Sequence, residues 1–221
     1  QSKGLVVGYV QSGKTANFTG VVARAADAGY RLFIVLTGQT ELLRKQTQRR
    51  LDKEMIGREL VDNDYVKEPD FDQFISHQQR PSKLGSFDWQ RLTGLEYDYQ
   101  SLKRGIDVLE FERINRAVPF YDAANLRPAK ARLIVIKKND AILKKVIHDL
   151  GEIKAKIRLD QIPAIIIDDE SDQASVNTKA HSGKRSTINA HIVNLLGILP
   201  RAQYIGYTAT PFANVFIDPG S

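Results

Sequence analysis

The sequence predicts an α/β protein with a mostly parallel central sheet, and two observations lead to this class. Short apolar runs that suit buried strands alternate with longer segments that suit helices, which is typical of parallel strands joined by helical crossovers. The isoleucine run at Ile165–Ile167 suits a strand that is covered on both faces, as parallel strands are. The predicted strands cover residues 5–7, 31–36, 132–136, 164–167 and 203–207. The predicted helices cover residues 15–28, 41–55, 140–159 and 187–199.

Residues 57–130 interrupt this alternation and are predicted to form an insertion within a single domain that spans residues 1–221. A structureless loop of that length is improbable in a compact domain, so we expect helices within it, one of them near Gln100–Asn115. The aromatic side chains of the insertion are expected to form a small satellite core rather than platforms for stacked bases. These aromatic residues are Phe71, Phe74, Phe87, Trp89, Tyr97 and Tyr99.

The composition is that of a soluble globular protein, with 42% apolar and 26% charged residues. No apolar run approaches the roughly 20 residues that span a membrane. Cysteine is absent, which excludes disulfides and thiolate metal sites and favours a cytoplasmic location. The 32 basic residues outnumber the 26 acidic ones, for a formal charge of +6, so a polyanionic partner is permitted but not required.

The strongest local signal is the segment Gly8–Thr15, which reads GYVQSGKT and lies between a predicted strand and a predicted helix. This is the context that a phosphate-binding loop requires, although a glycine-rich turn with Lys-Thr is the alternative. Its glycines allow a tight turn whose backbone N–H groups point at phosphate oxygens. Lys14 is predicted to reach the β- and γ-phosphates, and the Thr15 hydroxyl to bind Mg²⁺. The predicted nucleotide-binding residues are Gly8, Gln11, Ser12, Gly13, Lys14 and Thr15.

A second motif, Asp168–Asp172, follows directly after the isoleucine strand and reads DDESD. In a P-loop protein one carboxylate at this point holds Mg²⁺, and an adjacent glutamate orients and deprotonates the attacking water. We assign Asp169 to the metal and Glu170 to the general base, with Asp168 as the competing metal ligand. A helix-capping or surface acidic cluster is the alternative explanation.

Two further segments are candidates for contacts with a nucleic acid. The predicted helix 41–55 carries a basic face expected toward solvent, which is suited to a nucleic acid backbone or is an ordinary charged surface. That face comprises Arg44, Lys45, Gln48, Arg49 and Arg50. Lys137, Lys138 and Asn139 follow a predicted strand at its carboxyl end, where ligands of open α/β sheets gather, so they are candidates for phosphate contacts.

Taken in order, three motifs resemble motifs I, II and III of superfamily-two helicases and translocases. They are GYVQSGKT, the DESD of Asp169–Asp172 and the TATP of Thr208–Pro211. More narrowly, the segments GYVQSGKTANFTGVVARAADAGYR, LRKQTQRRLD, IIIDDESDQASVNT and YIGYTATPFANVFID resemble the Z-one domain family. Members of that family occur in bacterial restriction-like systems and are usually labelled endonucleases. The resemblance covers both ends of the chain well and the insertion poorly.

The resemblance implies a RecA-like three-layer sandwich, the first lobe of an ATP- and Mg²⁺-dependent motor. It implies phosphate and metal roles for Gly13, Lys14 and Thr15, and catalytic coupling roles for Thr208 and Thr210. In that superfamily the strand of motif III lies between the P-loop strand and the carboxylate strand, so these threonines would link the nucleotide state to DNA engagement.

The resemblance also implies partners. They are DNA, a second RecA-like lobe, and a methyltransferase or other restriction-system proteins, with no membrane. The second lobe is expected outside residues 1–221 and would supply an arginine finger. Such a finger contributes roughly 10³–10⁵ in rate in related phosphoryl-transfer enzymes, so residues 1–221 alone are expected to hydrolyse ATP very slowly.

Two other classes compete with the motor. A nuclease of the PD…(D/E)xK type needs a Pro-Asp followed at a suitable distance by an (Asp/Glu)-x-Lys triplet. Pro69-Asp70 has no suitably spaced partner of this kind, and Glu152-Ile153-Lys154 lies on a predicted helix, where such a triplet is commonplace. For a P-loop switch or small-molecule kinase, the nearest string to a guanine-specifying NKxD is Lys137–Asp140, which has the wrong order. The four histidines show no metal-ligand spacing.

Overall fold

The computed structural model describes residues 3–7, 14–61, 65–76, 89–99, 111–154, 158–171 and 187–209. For Lys14, Thr15, Ala16 and Lys154 it describes the backbone only. The strands are β1 (Lys3–Val7), β2 (Leu32–Thr37), β3 (Trp89–Arg91), β4 (Ala131–Lys137), β5 (Ala164–Asp169) and β6 (Ala202–Thr208). The helices are α1 (Lys14–Asp27), α2 (Glu41–Leu51), α3 (Ala123–Leu126), α4 (Asp140–Lys154) and α5 (Thr187–Ile198).

The strands form one sheet in the order β1-β6-β5-β2-β4-β3. Every pairing between neighbouring strands in the described ranges is parallel, which confirms the predicted α/β class and its parallel sheet. The last strand, β6, lies between β1 and β5, so two strands that are far apart in sequence share one neighbour. In a parallel sheet all carboxyl ends lie at the same edge, which is where ligands of open α/β sheets gather.

Apolar side chains cover both faces of the sheet, as the isoleucine run predicts. Successive side chains of a strand point to opposite faces. Ile165 and Ile167 therefore pack in the cluster that contains Phe18 and Val22 of α1. The intervening Ile166 packs with residues of α4 and α5, including Leu143, Leu195 and Leu196. Helices thus lie on both faces, with α1 and α2 on one side and α4 and α5 on the other.

Side-chain caps and glycines set the ends of the helices. The hydroxyl of Thr40 accepts a hydrogen bond from the backbone N–H of Leu43 and caps α2. The predicted helix 41–55 ends earlier as an α-helix, at Leu51, and continues as a single π-helical turn over Asp52–Ile56. The π-helical turn ends at Gly57, whose φ of 91° is a left-handed conformation that a side chain would disfavour.

The insertion contributes to the main fold, which contradicts the predicted satellite core. Its strand β3 pairs with β4 at the sheet edge, and Trp89 packs on Phe33 of β2 with ring centroids 5.2 Å apart. Phe74 is buried in the same cluster, and Tyr99 is buried in the cluster on the opposite face. Three residues without an apolar run leave no strand signal in the sequence, so β3 was not predicted.

Two predicted helices differ from the structure. Of the helix expected near Gln100–Asn115, residues 100–110 lie outside the described residues, and Phe111–Asn115 is not helical. The helix expected to reach Leu159 ends at Lys154, and Leu159–Gln161 forms a separate 3₁₀ turn.

Candidate functional site

The carboxyl ends of β1, β6 and β5 lie side by side, and this edge of the sheet carries the candidate site. Val7, the last residue of β1, is the register partner of Thr208, and Asp169 of β5 is the register partner of Tyr207. Neighbouring strands are about 4.8 Å apart, so the ends of β1 and β5 are on the order of 10 Å apart, with β6 between them. The buried Thr208 therefore lies between the two predicted motifs.

The predicted phosphate loop lies between two described elements, and only the backbone of its last two residues, Lys14 and Thr15, is itself described. Gly8, Gln11, Ser12 and Gly13 are outside the described residues, as is Thr210. Strand β1 ends at Val7, and helix α1 begins at Lys14, so the chain passes from strand to helix across the motif as predicted. The N-terminal end of α1, which is the positive end of its dipole, therefore follows the carboxyl end of β1 along the chain.

A tyrosine fastens the first turns of α1 to the end of β6. The hydroxyl of the buried Tyr207 donates a hydrogen bond to Oδ1 of Asn17 at 3.0 Å. The Tyr207 ring also meets Phe18 edge to face, with centroids 5.8 Å apart. Burial and the nearby charge of Asp169 raise the pKa of the Tyr207 hydroxyl, so it stays protonated and can donate. Because Asn17 lies about one turn after Lys14, this bond ties the first turn of α1 to β6, the neighbour of β5.

Asp168 and Asp169 differ sharply in their surroundings. Asp168 is fully buried, and both of its carboxylate oxygens have partners. Its Oδ1 accepts from Nζ of Lys138 at 2.9 Å, and its Oδ2 accepts from the hydroxyl of Tyr204 at 2.6 Å. Burial and the charge of Asp168 raise the pKa of the Tyr204 hydroxyl, which keeps it a donor. The geometry therefore favours the half-buried Asp169 over Asp168 as the carboxylate able to hold a metal.

Glu170 adopts an unusual conformation at the end of β5. Its φ is 57°, and it is the one residue other than glycine with a positive φ in the described part of the chain. No described group donates a hydrogen bond to its buried Oε2. The side chain packs against Gly38, where an added Cβ would lie 2.8 Å from that oxygen. Strained backbone and unsatisfied buried polar atoms are concentrated at functional sites.

The two lysines at the end of β4 are paired with carboxylates, which contradicts their predicted role in phosphate contacts. Nζ of the buried Lys138 donates to Asp168 and to the backbone carbonyls of Asp169 and Glu170. Nζ of Lys137 lies 2.8 Å from Oε2 of Glu41. Asn139 caps α4 instead, since its Oδ1 accepts from the backbone N–H of Ala141 at 2.9 Å.

Helix α2 also differs from its prediction, because its positive charges are neutralised. Arg44 and Gln48 are fully buried rather than exposed. Arg44 donates to the backbone carbonyls of Gly94 and Leu95, both at 2.8 Å, and to the carboxylate of Glu41. The other basic residues of the helix are paired as Lys45 with Glu96, Arg49 with Asp70 and Arg50 with Glu54. The helix therefore fastens the insertion to the sheet.

The described ranges contain no cluster of three or more His, Asp or Glu side chains that could hold a metal by themselves. That finding is compatible with Mg²⁺ bound beside a nucleotide, because such an ion usually takes one or two protein ligands together with phosphates and waters. Thr15 at the start of α1 and Asp169 at the end of β5 are the residues that could supply those ligands.

Several residues of this edge escaped the sequence analysis. Asn17, Tyr204, Tyr207 and Gly38 all contact or support the carboxylate motif. The two tyrosines had a usable signal: three positions apart on one strand, they must point to opposite faces, which matches their separate contacts with Asp168 and Asn17.

A scan of the chain against protein-family models finds no match, and a search of curated proteins finds none either. The helicase-like and Z-one assignments therefore stay predictions that rest on the motifs. Among the helices of the described residues, none is long and apolar enough to cross a membrane.

Proposed function

We propose that this chain is the ATP-binding, RecA-like lobe of a DNA-dependent ATPase of the helicase or translocase class, within a bacterial restriction or defence system. The observation that carries the proposal is the position of β6 between β1 and β5. That strand order puts the end of β1, from which the GYVQSGKT motif leads into α1, at the same sheet edge as Asp169 and two strands away from it. Two motifs about 155 residues apart in sequence would then face one another, as hydrolysis at a P-loop requires.

The residues of this edge fit a magnesium–triphosphate. Bound Mg²⁺ would neutralise phosphate charge and polarise the phosphate oxygens. Thr15 and Asp169 would hold the ion, and Lys14 would contact the phosphates together with the N-terminal N–H groups of α1. Glu170 would act as the general base that takes a proton from the attacking water.

The DNA-dependent part of the proposal rests on the motif resemblance and on the formal charge of +6. Helix α2 adds nothing to it, because its basic residues face carboxylates. For this reason a P-loop nucleotide switch without motor activity is the second candidate. DNA-stimulated ATP turnover, measured in the protein that carries the expected second lobe, separates the two: stimulation supports the motor, and its absence supports the switch.

Lys14→Ala tests the nucleotide site directly. The substitution removes the charge that would face the β- and γ-phosphates, and a charge-assisted hydrogen bond contributes about 1.5–3 kcal/mol. We therefore expect ATP affinity to fall roughly 10- to 100-fold by calorimetry.

Lys144→Ala is the matched control, because Lys144 is an exposed lysine paired with Asp140 on α4. It should bind ATP as the parent chain does. Equal affinity of the parent and Lys14→Ala would contradict the proposed function.

A further inference from the structure

Lys138 is the one cation of the described residues that joins all three acidic residues at the end of β5. It follows β4 directly, and its side chain is fully buried beside the equally buried Asp168. An ammonium group has three donors. Here they go to Oδ1 of Asp168, to the backbone oxygen of Asp169 and to the backbone oxygen of Glu170.

These contacts fall where the backbone is strained. Glu170 has a φ of 57°, a conformation that a residue with a side chain holds only when its surroundings determine it. The two carbonyls that Lys138 binds belong to the residues on either side of the peptide bond from Asp169 to Glu170. The Tyr204 hydroxyl bonds the other oxygen of Asp168 and so fixes the anchor of the ammonium group.

The consequence is a fixed direction for two side chains. Asp169 faces the α1 side of the sheet, where its charge acts on Tyr207. Glu170 lies against Gly38, where only a residue without a side chain leaves room for its carboxylate. Asp168 points to the opposite face, where it is the partner of Lys138 and Tyr204.

We propose that Lys138 is a positioning residue, whose ammonium group holds the Asp169–Glu170 backbone so that Asp169 can bind Mg²⁺ beside the nucleotide. This inference rests on the proposed function, since it concerns the metal carboxylate of the same site. Residues that orient metal ligands typically contribute roughly 10- to 100-fold to metal affinity. The expected signature is therefore a loss of the magnesium-dependent part of ATP binding, with the magnesium-independent part retained.

The test variant is the double substitution Lys138→Met/Asp168→Asn. It removes the ammonium group without leaving a buried charge unpaired, and the asparagine can still accept from Tyr204. The matched control is Arg91→Met/Asp52→Asn, which neutralises another buried ion pair, with N–O distance 2.8 Å, far from β5 in sequence. Thermal unfolding of both variants checks that each one folds.

The readout is the affinity for a non-hydrolysable ATP analogue, measured by calorimetry in Mg²⁺ and in EDTA. The dissociation constant in EDTA divided by the dissociation constant in Mg²⁺ measures the gain in affinity from magnesium. This ratio should fall about ten-fold or more in the Lys138 variant. The dissociation constant in EDTA should stay within about two-fold of the parental value. The control should keep the parental ratio. A parental ratio in the Lys138 variant overturns the inference, and so does an equal loss of binding in both buffers.

The parent chain reports on the proposed function separately. If the parent binds no analogue, the ATP site itself is refuted and the inference falls with it. If the parent binds the analogue but gains no affinity from Mg²⁺, the metal role of Asp169 is refuted. Only the variant comparison, made on a parent that shows the magnesium effect, bears on the Lys138–Asp168 pair.

Discussion

Two buried carboxylates in this protein have nearly the same partners but different surroundings. Asp168 accepts from Lys138 and Tyr204, and Asp52 accepts from Arg91, Tyr65 and Gln48. Each set combines one cation and one tyrosine hydroxyl around a carboxylate that is fully buried. The two networks differ in the parts of the fold that they connect.

The Asp52 network joins α2, the insertion and β3. Gln48, besides donating to Asp52, accepts from the hydroxyl of Thr93, which in turn accepts from the backbone N–H of Val135. These bonds tie the insertion to the sheet. The Asp168 network instead ends on the backbone carbonyls of Asp169 and Glu170, at the edge that carries the candidate site. The same chemistry therefore supports packing in one region and the geometry of acidic side chains in the other.

The largest expected effect is the loss of stability when the cation of each network is removed, because the two carboxylates keep different numbers of neutral hydrogen-bond donors. Lys138→Met leaves Asp168 buried with one neutral donor, and breaking a buried pair in this way costs about 3–5 kcal/mol. Arg91→Met leaves Asp52 with two neutral donors, Tyr65 and Gln48, so its cost should be smaller. Urea denaturation of both variants measures the difference in the free energy of unfolding. Equal costs would mean that the neutral donors do not compensate for the lost cation.

The next effect concerns pH. Burial raises the pKa of the Asp52 carboxyl from 3.8 to about 6, against the opposing charge of Arg91. The folded state then binds the proton more tightly than the unfolded state, so the stability that protonation contributes is complete below pH 3.8 and is lost as pH rises through 6. Between pH 4 and 7 the parent should lose up to about 3 kcal/mol relative to Asp52→Asn.

Urea denaturation of the parent and of Asp52→Asn across that range measures this loss. The neutral asparagine keeps the size of the side chain and removes the titration, so it is the appropriate reference. Parallel pH profiles for the two proteins would show that Asp52 keeps an ordinary pKa despite its burial.

The smallest effect concerns the contact that completes the candidate edge. In Gly38→Ala the new Cβ would lie 2.8 Å from Oε2 of Glu170 and 2.5 Å from Cδ1 of Leu43, and overpacking of this kind costs about 1–3 kcal/mol. Gly151→Ala is the control, since a Cβ at this position on α4 meets nothing within 4 Å. It should stabilise the helix by about 0.5–1 kcal/mol. Thermal denaturation measures whether each substitution raises or lowers stability. An unchanged stability of Gly38→Ala would show that the Glu170 side chain moves away freely.

The elements with regular apolar patterns were predicted well. Strands β2, β4, β5 and β6 begin and end within one or two residues of their predicted bounds, because each is a short run of apolar residues. Helices α1 and α5 are predicted to the same accuracy. The three-residue strand β3 and the π-helical end of α2 were missed, since pairing with β4 and burial of Asp52 decide them and neither leaves a periodic pattern.

The candidate site divides in the same way. The sequence motifs singled out Lys14, Asp169 and Glu170 as site residues. The roles assigned to these residues stay predictions. The basic residues were misread where charge alone was considered, because Arg44 and Lys138 are buried and their partners come from segments about 30 to 50 residues away. A charged side chain in a sequence carries no sign of whether a distant carboxylate or carbonyl will take it out of solvent.

The sequence by itself determined the alternation of strands and helices, because apolar periodicity is a local property that burial of each element requires. It also determined which residue types can bind phosphate or metal. Only the tertiary structure decided that β6 enters between β1 and β5, and that Asp168 is fully buried against Lys138 and Tyr204 while Asp169 is half-buried. Strand order and the pairing of buried charges depend on contacts between residues far apart in the chain, and these form only when the whole sheet is assembled.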